Sequence, residues 1–77
     1  MIVYPEEMQN VAHNIKWLRT QNHLSQVAMA KLLSISPTSL RKIEKGELPM
    51  RLRVMVPFRI SIHFNIAPAD LYSKRLG

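Results

Sequence analysis

Apolar positions between residues 8 and 19 recur every three or four residues. Met8, Val11, Ala12, Ile15 and Leu18 share one side of a helix, joined there by Arg19. Pro5-Glu6-Glu7 supplies the first turn, with carboxylates near the positive end of the helix dipole. The helix is expected to stop at Asn22-His23, two residue types that accept positive φ. Two short segments follow. Ser25 is a good N-cap, and Leu24 and Met29 flank it at the positions of a hydrophobic staple. This predicts a helix over Gln26–Leu33 with Met29, Ala30 and Leu33 inward and Val27 partly exposed. The pattern then repeats. Ser36 caps, Pro37 fits the first helical position, Ile35 and Leu40 form the second staple, and Leu40 and Ile43 face the core. That helix should run to about Lys45 and end at Gly46, a residue free to take positive φ. Two capped helices about three residues apart are the signature of a helix-turn-helix.

Beyond Gly46 the pattern changes. Pro49 marks a loop. From Val54 to Ile66 the apolar residues alternate strictly (Val54, Val56, Phe58, Ile60, Ile62, Phe64, Ile66), broken by Met55 and Pro57. By period alone this is a strand, which could pair edge to edge with a twin chain. A last short helix opens at Ala67, with Pro68 at its first position, Asp70 in its first turn and Leu71 closing the core. The ends carry no cap signal. Met1 to Tyr4 reads as a tail or contact strip, and Ser73 to Gly77 is expected to fray. Trp17 lies off the apolar face of the first helix. Either the tail or the C-terminal segment covers it, or it anchors a partner.

The run Leu24-Ser25-Gln26, Met29-Ala30, Leu33, Ile35-Ser36, Leu40, Ile43-Glu44 and Gly46 resembles the Cro/C1-type (Xre) family of helix-turn-helix DNA-binding regulators. The likeness extends back to Ile15, Leu18 and Arg19, and forward to Phe64, Ile66 and Asp70-Leu71. Two departures stand out. Ser34 occupies a turn position where the family usually has Gly, at a cost of roughly 1 kcal/mol for a left-handed residue. The stretch from Gly46 to Phe64 is also about two residues longer than usual. The resemblance implies an all-α, five-helix, lambda-repressor-like single domain over residues 1–77, with the helix-turn-helix at 25–46. It places a helix, not a strand, between Val54 and Ile66, with Pro57 in its first turn. It further implies an ion pair between Arg19 and Glu44 tying the first helix to the third, and a phosphate contact from Gln26.

Charge sharpens this picture. The 77 residues carry eleven Lys and Arg against five Asp and Glu, a formal net charge of +6. Such a surface attracts phosphates, although anionic membranes and acidic proteins would also suit it. In a helix-turn-helix the second helix enters the major groove. Pro37, Thr38, Ser39, Arg41 and Lys42 are therefore the candidate base contacts: hydroxyls bond to several base edges, cations to guanine acceptors, and Pro37 offers only apolar contact. Ser25, Gln26, Lys45, Arg51 and Arg53 are the candidate phosphate contacts. Glu44 is assigned to structure, since a carboxylate facing an anionic polymer would be repulsive.

The chain has no Cys, which excludes disulfides and thiol catalysis. His13, His23 and His63 lack ligand spacing, so no metal or other cofactor is expected. No carboxylate pair or phosphate-cradling loop suggests an enzyme. No signal peptide or membrane-length apolar run is visible, which makes the cytoplasm the default location. The expected partner is a roughly palindromic double-stranded DNA operator, bound by a homodimer. The alternative is an antitoxin-type interaction module gripping a partner protein through Met1–Tyr4 and Trp17. A weaker third reading is a basic face that binds nucleic acid without sequence preference.

Overall fold

A computed structural model describes residues 5–48, 52 and 54–77. The expectations placed on Met1–Tyr4, Pro49, Arg51 and Arg53 lie outside these. Among the described residues there are five helices and no strand: α1 (Pro5–Gln21), α2 (Gln26–Leu33), α3 (Pro37–Glu44), α4 (Met55–Phe64) and α5 (Pro68–Ser73). Helix α1 packs against α3 and α5, α2 against α3 and α4, and α4 against α5. Val11, Ile15, Met29, Leu33, Leu40, Ile43, Val56, Ile60 and Leu71 meet in the middle with essentially no exposure. Each helix gives the stripe at its own helical spacing.

The helix ends follow local chemistry. His23 takes φ 56° just past α1. Ser25 Oγ accepts from Ala28 N at 3.1 Å and starts α2. Ser34 ends it in the left-handed region (φ 57°, ψ 41°), with its N–H donating to Lys31 O and the N–H of Ile35 to Ala30 O. Ser36 Oγ then accepts from Ser39 N at 3.0 Å, with Pro37 behind it. Helix α3 closes at Glu44, one residue short of the expected end, and Gly46 takes φ 97°. Ser34→Gly removes the left-handed strain of about 1 kcal/mol, less a few tenths for the freer unfolded chain. A rise of a few degrees in the thermal unfolding midpoint is the expected result.

The alternating segment is helical, with Pro57 as the third residue of α4, where the missing N–H goes unmissed. Two residues along a helix is a rotation of 200°. An alternating run therefore splits into two apolar stripes on opposite faces. Val56 and Ile60 are buried on one, with Phe64 partly buried beside them. Val54, Phe58 and Ile62 are 71%, 59% and 62% exposed on the other.

The C-terminal segment does not fray. Asn14, fully buried in α1, donates to Leu71 O at 2.9 Å and Lys74 O at 2.8 Å, and accepts from Leu76 N at 2.7 Å. Asn10, one turn earlier, donates to Tyr72 O at 2.9 Å. His13 Nε2 donates to Leu76 O at 3.2 Å. Gly77 sits against the Trp17 indole, so closely that a Cβ there would overlap the ring. Of the readings left open for Trp17, coverage by the C-terminal segment is what the fold shows. The fray expected from the absent cap overlooked two asparagines, at i and i+4 within an apolar helix face, that bind the segment's backbone.

Candidate nucleic-acid interface

Helix α3 is held at both ends by different means. Its N-terminus rests on the Ser36 cap and the three-residue turn Ser34–Ser36. Its C-terminal end is tied to α1 by the Arg19–Glu44 pair. Arg19 Nε donates to Glu44 Oε2 at 2.8 Å and Nη2 to Oε1 at 3.1 Å, a two-pronged contact with side chains only 14% and 6% exposed. Arg19 Nη1 also donates to Leu24 O, the residue just before the Ser25 cap, at 3.2 Å. Gln26 Nε2 reaches the same carboxylate at 3.3 Å. One buried carboxylate therefore gathers α1, the start of α2 and the end of α3. These charge-assisted bonds fix the angle between the two helices of the motif.

With Leu40 and Ile43 buried and Glu44 turned inward, the 100° step of a helix puts Thr38, Arg41, Lys42 and Lys45 on one outward face. All four are exposed. Arg41 Nη2 donates to Thr38 Oγ1 at 3.2 Å, which leans the guanidinium back along the helix toward its N-terminus. Lys42 stands free of any such contact among the described residues. Ser39 sits at the edge of this face: Ser36 Oγ bonds to its Oγ at 3.0 Å, and it lines a groove with Ile35, Leu52 and Met55. Pro37 is half-buried on the opposite edge. Lys45, assigned to phosphate, shares the central face with Thr38 and Lys42, seven residues or about 10 Å farther along.

Ser25 is exposed and spends its oxygen lone pair on the cap. Gln26 is partly exposed, with its amide engaged by Glu44. Both stand at the α2 N-terminus, where the dipole and free N–H groups favour an anion. Of the five candidate base contacts, Thr38, Arg41 and Lys42 thus form one outward band with Pro37 and Ser39 at its two edges, and two of the candidate phosphate contacts lie at the start of the neighbouring helix.

Sequence reasoning passed over a second grouping of basic side chains, set beside the paired Glu44. Lys16 and His13 of α1, Lys45 at the end of α3 and Arg75 of the C-terminal segment line a cavity of about 290 Å³. Nothing local signals it, because the fold alone brings Arg75 beside α1. Among the described residues no three His, Asp or Glu side chains gather as a metal would need, and no helix is long and apolar enough to cross a membrane.

Comparison with known proteins agrees with this geometry. A helix-turn-helix family model matches residues 15–71, from Ile15 of α1 to the buried Leu71 of α5. No curated protein and no solved structure matches the chain. The match covers well over half of the sequence and includes both capped helices, the turn and the residues that tie them together, so the chain belongs to the Cro/C1-type, Xre-like helix-turn-helix family of DNA-binding transcription regulators.

Proposed function

We propose that residues 1–77 form one DNA-binding domain of a bacterial or phage repressor, acting as a dimer on a roughly palindromic operator in the cytoplasm. The observation that carries this reading is the sorting of charge on α3. Thr38, Arg41, Lys42 and Lys45 face outward, while the one carboxylate of the helix is turned inward and neutralised by Arg19. Thr38, Arg41 and Lys42, with Ser39 and Pro37 at the edges, read base edges. Ser25, Gln26 and Lys45 hold phosphates, as do Arg51 and Arg53. The role is binding, with no reaction and no cofactor. An antitoxin-type grip through Trp17 has less support, because the C-terminal segment already covers the indole.

The test is binding to a labelled duplex from just upstream of the chain's own gene, with and without excess non-specific DNA, across a salt series. Tight binding that survives competitor and falls steeply with salt is the expected result. Binding erased by competitor rejects sequence-specific recognition. In the same assay Lys42→Ala lowers specific affinity about 10- to 100-fold, the range of one well-made base contact, with little change in non-specific binding. Equal loss on both makes Lys42 a phosphate contact.

A further inference from the structure

Among the described residues four large apolar side chains stand out as exposed, and three of them, Val54 just before α4 and Phe58 and Ile62 within it, form a single stripe at four-residue spacing. The opposite stripe of the same helix fills the core. This outer one is left open to water by the described residues. We infer that it is the contact between two copies of the protein, α4 against α4 in antiparallel register, with Phe58 on the two-fold axis and Val54 of each copy against Ile62 of the other.

Three features of the stripe favour a second copy over a different partner. First, it is self-complementary. Phe58 lies midway between Val54 and Ile62, one turn from each, so a two-fold axis through Phe58 sets all six side chains apolar against apolar. Second, its centre is free of charge. Ser61 and Asn65 flank it on one side, and Arg59, the cation of α4, lies about a quarter-turn away. Third, its size fits a contact that needs help. Three such side chains offer roughly 300–400 Å² per copy, well short of the roughly 800 Å² a side of a standard stable interface. Two copies at +6 each also repel. The pair is therefore weak in free solution and strong where DNA phosphates neutralise both copies and hold them side by side. The domain measures 28 × 23 × 20 Å, so neighbouring copies can reach successive major grooves about 34 Å apart. This inference rests on the proposed operator binding for its purpose, but the contact itself is measurable without DNA.

The first measurement is sedimentation equilibrium of the whole chain from micromolar to millimolar concentration at low and high salt. A monomer–dimer equilibrium that tightens as salt rises is expected, the reverse of the salt dependence of DNA binding. Phe58→Glu weakens that equilibrium at least 100-fold. Its thermal midpoint stays within a few degrees of the parent, because the position is open to water. Val27→Glu, on an exposed apolar residue of α2, leaves dimerisation unchanged.

The absence of cysteine permits a second readout. On mild oxidation, a mixture of Val54→Cys and Ile62→Cys chains should give the mixed disulfide at least tenfold faster than either chain pairs with itself. A chain that stays monomeric at millimolar concentration overturns the inference, as does equal cross-linking of a Val27→Cys control. In either case intact binding to the upstream duplex leaves the DNA-binding role standing. Loss of DNA binding by a chain that still dimerises rejects that role instead.

Discussion

Arg19→Ala lowers the folding stability by about 3–5 kcal/mol, the usual result of removing one member of a buried, hydrogen-bonded ion pair. Much of that comes from what remains. Glu44 is 6% exposed and loses two of its three donors, leaving the amide of Gln26 alone to face a buried carboxylate. Leu24 O loses its side-chain donor as well. A domain of this size has roughly 5–15 kcal/mol in all, so the variant should be partly unfolded at physiological temperature. Urea titration followed by circular dichroism measures the change directly. Arg19→Lys recovers only part of it, because an ammonium cannot bridge both carboxylate oxygens in the same plane.

Replacing both partners with Met separates the charge from the packing. A buried pair exchanged for apolar residues of similar volume is often neutral or better, so the double variant should be far more stable than Arg19→Ala. Function has a different expectation. Arg19 lies behind the outward face of α3, so whatever fraction of the Arg19→Ala protein remains folded should discriminate sequences nearly as the parent does. A variant as stable as the parent would show that the pair contributes nothing.

The contrast between segments plainly legible in the sequence and those that are not has a physical source. Ser25, Ser36, Pro37 and Gly46 act within one turn of their own position, and local chemistry of that kind is present in the sequence itself. Helix starts and ends could be read to within a residue for α2 and α3. The alternating segment was harder because a period of two is ambiguous. It describes one face of a strand, and equally two opposite faces of a helix, and only the surroundings choose. Here the chain supplies a core for Val56 and Ile60, and the described residues supply no neighbouring strand for the rest. The outward band of α3 follows from helix geometry once Leu40 and Ile43 are placed inside. The engagement of the Ser39 hydroxyl by Ser36 at the edge of that band does not. Arg75 joins His13 and Lys16 of α1 only through the path of the last residues, for which composition and period say nothing.

Those last residues carry the second large expectation. Asn14→Leu, close to isosteric and apolar, should cost about 3 kcal/mol and release the C-terminal segment from α1. The Asn14 amide makes three hydrogen bonds, its two N–H groups donating to Leu71 O and Lys74 O and its oxygen accepting from Leu76 N. Leucine leaves those backbone groups without partners, at about 1–3 kcal/mol for each that stays buried. Lys74 and Leu76 can swing out to water and escape that cost. Leu71 O lies at the end of α5, whose Leu71 side chain is anchored in the core, so it cannot.

The released segment uncovers the indole of Trp17, the chain's one tryptophan, which makes its fluorescence a clean reporter. Red-shifted emission and easier quenching by acrylamide, at temperatures where circular dichroism still shows folded helices, are the expected signs. Unchanged emission would mean that the segment is held by Asn10, His13 and packing alone. Asn14→Asp sharpens the test. Above the carboxylate's pKa it sets a negative charge against two carbonyl oxygens in place of two donors, and should destabilise more than leucine does. If instead it were tolerated, the amide hydrogens would not be what holds the segment in place.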